Sequence, residues 1–557
     1  MRAAFPAILF MVMSYHVGAA RAAAPVVEYL YPTGGQRGTT VTVTAGGKFE
    51  PWPVKAWTDS AELKFEAGEK SGTFNVHVGA SASVGPHLVR LYNGEGASAL
   101  RVFMVGEQKE VAETEPNDEV GKAQSVEGLP LTVNGQLEKS GDVDAYAVRL
   151  EAGQCLVASL QGRRLGAPMD PMLHLFDEGG NEIAFAHDGF GLDPLLVHRA
   201  SAGGRFVVRV SGFAHPPAAE VRLTGAKTDV YRLNLTTGPV VRWACPAGVR
   251  RGERKTVRLF GWNLAAERWE ADATGEKRGR EAFSVGVGAS DAPMQLQLSD
   301  AVELAEGEVA QGQALAAPFG VTGRIAATRE EDRYSFAAKK GERFTLVLRG
   351  GFVESRFDPV LRVQDAAGKE LARDDDGAGA GDARLEFAAP EEGTYRVVVS
   401  DLNRQGGEDF DYRLTVRKPV PEVTAMVAVH EVRVTPGKTA AVKVNVSRLH
   451  GHGDDVAVIA TGLPAGVTSS SAGVPAKGGE VEVTLSAAAD AKAASGAIRF
   501  MLVGTDPEKP FARVARYDLT KEAAGQTLVE GTESVWLTVL PPPATQPAKA
   551  AETPGKK

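Results

Sequence analysis

Two cysteines in 557 residues, Cys155 and Cys245, exclude a disulfide framework and any cysteine-rich zinc or iron–sulfur centre. The folds must stand on hydrophobic cores. Beyond the N-terminal segment, no stretch approaches the roughly 18 to 20 consecutive apolar residues needed to span a bilayer, so membrane insertion is not expected. Positive charge is in deficit, with 62 Lys and Arg against 70 Asp and Glu for a net −8, which leaves no electrostatic footprint for nucleic acid. Helical periodicity over ten or more residues is missing, apart from weak Ala/Lys-rich stretches such as 487–494. Catalytic signatures are missing too: no Gly-x-Ser-x-Gly elbow, no His-Glu-x-x-His, no phosphate-binding Gly-x-x-x-x-Gly-Lys-Ser/Thr loop and no Gly-x-Gly-x-x-Gly after a strand.

What is present begins with Met1-Arg2 and an apolar run from Ala3 to Met13, followed by small-x-small triplets at Ala20-Arg21-Ala22 and Ala22-Ala23-Ala24. This pattern reads as a signal peptide over 1–24, giving an exported product of periplasmic, extracellular or cell-surface location. Residues 541–557 have almost no large apolar side chain and read as a disordered tail. Gly (63) and Pro (31) supply punctuation for many short strands.

Self-comparison is the most informative operation. The segment from Gly141 to Gly153 (GDVDAYAVRLEAG) recurs as Arg329 to Gly341 (REEDRYSFAAKKG), a constant shift of 188. At that shift Asp170-Pro171 meets Asp358-Pro359, Asp177 meets Asp365, and His187-Asp188-Gly189 meets Asp375-Asp376-Gly377. A shorter echo pairs Pro32 to Gly38 with Pro246 to Gly252. The unit is a small module plus a larger one, present twice. Phe344, Leu346 and Leu348 alternate with polar or outward positions, as do Leu156, Ala158 and Leu160, then Val442, Val444 and Val446, then Val481, Val483 and Leu485. Period-two alternation between turn signals predicts an all-β chain: a tandem array of about five β-sandwich domains, Ig-like and jelly-roll-like, at 25–105, 107–238, 239–299, 300–418 and 419–540.

Residues 113–118 (ETEPND), 142–146 (DVDAY), the Asp-Pro-x-Leu-x-Leu-x-Asp run and the later Gly-x-Phe/Tyr-x-Val-x-Val element together resemble the bacterial pre-peptidase C-terminal domain. The resemblance covers 107–238 well and 300–418 almost as well. The first and third modules resemble, more weakly, Ig-like IPT modules of bacterial surface proteins, and the fifth resembles Ig-like modules attached to secreted enzymes. The larger resemblance implies a β-sandwich appended to secreted proteases, with collagen-binding relatives in which this linker and the Asp-x-Asp pair ligate calcium. Carried over, it implies a structural calcium ion held by Glu113, Glu115, Asn117, Asp118, Asp142 and Asp144. The residues alone leave an acidic capping turn as the other reading. In the second copy nothing reproduces Glu-Pro-Asn-Asp and Glu330-Glu331-Asp332 replaces Asp-x-Asp, so calcium is expected only in the first.

Other constellations read as loops. Asp374-Asp375-Asp376-Gly377 with Asp382 lacks EF-hand spacing, and His450-Gly-His452 sits among glycines without further ligands. His187-Asp188 is not kept in the repeat. Cys155 is placed on the outward face of its strand, and a Cys155–Cys245 bridge and two free thiols are both open. Trp52, Trp57, Trp243 and Trp262 are either sugar-stacking or core residues. The expected function is a non-catalytic protein that binds an extracellular protein or polysaccharide through paired modules. The alternatives are an architectural spacer of the cell surface and an accessory subunit of a separately encoded peptidase.

Overall fold

The computed structural model describes residues 23–541 except 218–221, 277–281, 286, 288–293, 351–354, 378–381 and 521–526. The expected signal peptide, but for its last two residues, and the tail beyond 541 lie outside the described residues. Among the described residues the chain is strands and turns with three single 3-10 turns, and no helix is long and apolar enough to cross a membrane. The alternating runs are strands with their apolar members inward: Phe344, Leu346 and Leu348 on Arg343–Arg349, and Leu156, Ala158 and Leu160 on Cys155–Gln161, are all essentially buried. Each buried Phe or Leu among them contributes about 1.5–3 kcal/mol. The Ala/Lys-rich stretch at 487–494 is not helical. Ala487 ends one strand (Gly479–Ala487), Ala494 starts the next (Ala494–Gly504), and the span between is too short to nucleate a helix.

Five main hydrophobic cores follow one another along the chain, centred on Val43, Phe74 and Phe103, on Tyr146, Leu173 and Leu233, on Val257 and Leu296, on Phe336, Leu361 and Leu414, and on Val444, Phe500 and Leu537. The second and fourth share one topology. In the second, one sheet runs in the order Lys109–Ala112, Leu131–Gln136, Val230–Thr236, Cys155–Gln161, Asp193–Arg199, and the facing sheet in the order Gln124–Ser125, Asp144–Leu150, Gly204–Ala214, Met169–Phe176, Glu182–Ala186. In the fourth, the orders are Val302–Ala305, Phe319–Arg324, Asp411–Arg417, Arg343–Arg349, Ala383–Ala388 and Ala314–Leu315, Asp332–Ala338, Gly393–Asp401, Pro359–Gln364, Glu370–Asp374. The 188-residue repeat is therefore a repeat of strand order as well as of residues.

Each small module docks on the following large one in a matching way. Arg232, fully buried, forms two 2.8 Å hydrogen bonds with the Glu110 carboxylate, and a Cβ on Gly34 of the first module would stand 2.2 Å from its guanidinium nitrogen. In the second pair Arg413 donates to Glu303 at 3.1 and 2.6 Å, and a Cβ on Gly248 would stand 2.8 Å from that carboxylate. The chain then folds back. Trp536 of the last module meets Trp57 and Tyr92 of the first at ring-centre distances of 6.1 and 4.6 Å, and the Arg90 guanidinium lies over both tryptophans. Leu88, Leu100, Val102 and Met104 pack there with Leu165 and Leu519.

These junctions decide between alternatives that the sequence leaves open. Trp57 is taken up by the interface between first and last modules, Trp52 packs edge-on to Phe49 and Phe74, and Trp243 is buried on Phe260; Trp243 and Trp262 both border an open pocket. Both cysteines are free thiols. Cys155 is buried although its strand face points out of its own sandwich, because the third module covers it: Asn263 donates to the Cys155 carbonyl at 2.9 Å.

Candidate functional site

The segment between Ala112 and Gln124 leaves one sheet of the second sandwich and joins the other, crossing the end of the core through the 3-10 turn Val120–Lys122. Its backbone is tied down by Glu113 N–H to the Asn134 carbonyl (3.0 Å) and Ala145 N–H to the Asn117 carbonyl (3.1 Å). The Asp142–Asp144 turn comes up beneath it. Asp142 accepts from Glu138 N–H at 2.6 Å, and Asp144 opens the strand Asp144–Leu150.

This path brings the acidic residues together. Glu115, Asp118 and Asp142 each place one carboxylate oxygen within 4.8 Å of the others. Asn117 (0% exposed), Asp142 (1%) and Asp144 (0%) form the floor. Asp142 Oδ1 has no hydrogen-bond partner, and the nearest cation is the exposed Lys139 ammonium at 3.6 Å. One end of the Asn117 amide approaches Asp144 Oδ1 (3.2 Å) and Glu115 Oε2 (3.3 Å). With the NH2 there it donates to both. With the oxygen there, three oxygens would face one another, an arrangement that needs a proton or a cation between them. The donor set is all oxygen and mostly anionic, which suits a hard divalent ion rather than a thiophilic one.

Glu113 stands to one side. Its carboxylate accepts from Gln136 N–H (2.8 Å) and from the Tyr31 hydroxyl of the first module (3.2 Å), so the cluster adjoins the junction between modules. Burial, opposed by those two donors and reinforced by Glu115 and Glu138, pushes Glu113 up to about 7. Burial, with the Glu113 charge beside it, pushes Asp144 up to about 9, although the Tyr231 hydroxyl donates to it at 2.5 Å. Both carboxyls thus favour their protonated forms.

A feature that sequence reasoning missed lies directly beneath. Tyr231 also shares a 2.6 Å hydrogen bond with Tyr146, and the second copy repeats the trio: Tyr334 with Tyr412 at 2.5 Å, and Tyr412 to Asp332 at 2.5 Å. The signal was the recurring Tyr231-Arg-Leu and Tyr412-Arg-Leu, 181 residues apart. The second copy keeps Glu306 and Glu308 where the first has Glu113 and Glu115; Arg324 N–H donates to Glu306 at 2.9 Å as Gln136 does to Glu113. The metal-like part is replaced, because Lys255 of the third module sets its ammonium 2.9 Å from Glu308.

Two further groupings lie at the other edge of the second sandwich. His187 has a carboxylate at each ring nitrogen, Asp170 at 3.5 Å and Asp188 at 3.4 Å. The sequence placed His187-Asp188 in a loop, and its partner Asp170 comes from the adjacent strand. Beside it, the edge strand Glu182–Ala186 turns Ile183 and Phe185 outward, Phe185 at 52% exposure, with His174 4.9 Å and His187 6.5 Å from the Phe185 ring. Asp374 closes its own turn by accepting from Gly377 and Arg384 N–H groups, and His452 takes a 2.9 Å contact from Arg448, so both of these segments are surface turns.

Compared with known proteins, residues 330–401 match the bacterial pre-peptidase C-terminal domain, a non-catalytic domain found in secreted proteins. No curated protein matches. Among solved structures, an Escherichia coli alpha-2-macroglobulin activated by porcine elastase aligns at 11% identity and TM-score 0.12, covering 91% of this chain and 52% of that one. A DUF4785 family protein from Legionella pneumophila aligns at 9% identity and TM-score 0.12, covering 37% of this chain and 64% of that one. The chain thus spans about half the length of the first of these.

Proposed function

We propose that this chain is an exported, non-catalytic protein that binds an extracellular polymer or protein, with 107–238 a second pre-peptidase C-terminal-like module and its main contact surface. The observation that carries this reading is the aromatic and apolar strip on the Glu182–Ala186 edge, since exposed large apolar groups gathered on one sandwich face mark contact surfaces more often than spacers. Calcium is the structural ion of the reading. Glu115, Asn117, Asp118, Asp142 and Asp144 would hold it, with Glu113 as flanking ligand, and the unpartnered buried oxygen of Asp142 supports that fit. Its role is to order the linker that crosses the end of the core.

The test is sedimentation of the full chain with collagen fibrils, chitin, cellulose and peptidoglycan sacculi, with calcium and with chelator. Binding to one of these that falls at least tenfold in Phe185→Ala is the expected result. Equal binding by wild type and Phe185→Ala would overturn it. The spacer reading rests on a separate observation: the matched glycine contacts at both junctions and the return of the last module to the first describe a self-bracing scaffold. An accessory role beside a peptidase draws its support from the family alone.

A further inference from the structure

The outer face of the fourth module differs in chemistry from that of the second. A pocket of about 360 Å³ lies there, lined by four arginines (Arg329, Arg362, Arg373 and Arg404) and three acids (Glu330, Glu331 and Asp401), with Val360 and Leu402 beside them. At the 188-residue shift, Arg362 and Arg373 stand where the second module has His174 and Phe185. The aromatic edge of one copy is the cationic edge of the other.

Arg362 and Arg373 are directly opposite on the antiparallel strands Pro359–Gln364 and Glu370–Asp374, a pairing of like charges that disfavours the sheet. The nearby acids offset this only in part. Glu331 divides its two oxygens between Arg362 (2.5 Å) and Arg333 (2.6 Å), and Asp375 lies 3.7 Å from Arg373. Asp401 is buried and accepts from the Asp358 and Gln405 N–H groups, and Glu330 accepts from Ala327 N–H. The Arg362 Nε is buried with no hydrogen-bond partner. Arg329 and Arg404 are exposed, and among the described residues neither forms an ion pair.

The backbone gives the second, independent argument. Arg329 (φ 66°) and Arg404 (φ 56°) both lie in the left-handed region, tied together by a 2.9 Å hydrogen bond from Arg329 N–H to the Arg404 carbonyl. At the position of Arg329 the other copy has Gly141, φ 85°. Left-handed backbone is free for glycine and costly for arginine, so the fold alone calls for glycine here. An arginine at such a position points to a role for its side chain.

We propose that this pocket binds a dianionic tetrahedral oxyanion, a phosphate monoester carried on the ligand. Arg329 and Arg404 are the two guanidiniums of the pocket that form no ion pair among the described residues, and guanidinium forks match phosphate oxygens in pairs. Val360 and the half-exposed Leu402 face the carbon body of the ester.

The test is calorimetric titration of the full chain, in chelator and at fixed ionic strength, with inorganic phosphate, glycerol phosphate and acetate. Expected are binding of glycerol phosphate at least as tight as inorganic phosphate, and no heat from acetate. The double variant Arg329→Gly, Arg404→Gly should weaken phosphate binding at least tenfold while its anion-free melting temperature stays level or rises, because glycine suits both backbone positions. Absence of heat from glycerol phosphate at millimolar concentration, equal binding of acetate, or unchanged affinity in the double variant would each overturn the proposal. A lowered anion-free melting temperature would also overturn it, since the arginines would then be structural.

Discussion

Raising the pH from 6 to 8 in the presence of chelator should loosen the second sandwich, and the sign follows from Asp144. Its folded-state pKa, pushed up to about 9 by burial and the Glu113 charge, lies far above the ordinary aspartate value near 3.9. Over this window the folded chain holds a proton there that the unfolded chain does not, so stability present at low pH is lost as the pH rises toward the folded value. One proton over two pH units corresponds to a loss on the order of 3 kcal/mol. Glu113, pushed up to about 7, adds to the same trend. Calcium should oppose it, because the ion replaces the proton: its apparent affinity should tighten about tenfold per pH unit for each proton released. Hydrogen exchange of peptides covering 131–150, corrected for intrinsic rates, reads this module without interference from the other four. Asp144→Asn should cut the slope to the part that Glu113 contributes and abolish the calcium response. Protection that stays flat or rises between pH 6 and 8 in chelator, or a slope unchanged in Asp144→Asn, would refute the reasoning.

Gly34→Ala should force the first module off the second, since its Cβ would overlap the Arg232 guanidinium; a cost of about 1–3 kcal/mol and new proteolytic cleavage near residue 107 are expected, with Gly248→Ala doing the same at the second junction. Tyr412→Phe removes the donor to Asp332, a carboxyl that burial already pushes up to about 6, and should destabilise the fourth module by about 1.5–3 kcal/mol above pH 6, with less loss at pH 4, measured by its calorimetric transition. Trp536→Ala should open the contact between first and last modules and increase the radius of gyration in X-ray scattering without altering exchange in the 315–416 core.

The all-β character was legible because alternation at Val442, Val444 and Val446, or Phe344, Leu346 and Leu348, is a local signal that each strand carries alone. The shift of 188 was legible because duplicated modules keep their turn residues in step. The acidic motifs were visible in the sequence, and Glu115, Asp118 and Asp142 lie close together, but that Glu113 turns toward Tyr31 of another module depends on a domain contact that no local pattern encodes. The Tyr146, Tyr231 and Asp144 trio joins residues 85 apart across two sheets, and only the repeated Tyr-Arg-Leu hinted at it. The tryptophans stayed undecided for the same reason. A Trp on an outward face reads alike whether solvent or a neighbouring module lies against it, and Trp57 meets Trp536.

The contact between first and last modules makes the array a closed path rather than a string. Tension applied across it would load the Trp57, Tyr92 and Trp536 rings before any sandwich is stretched. Parting them would release slack held between the modules while every core stayed intact. The molecule would behave as a clasp that lengthens at low force and then stiffens, and the threshold would be set by a few aromatic rings rather than by the strength of any β-sheet.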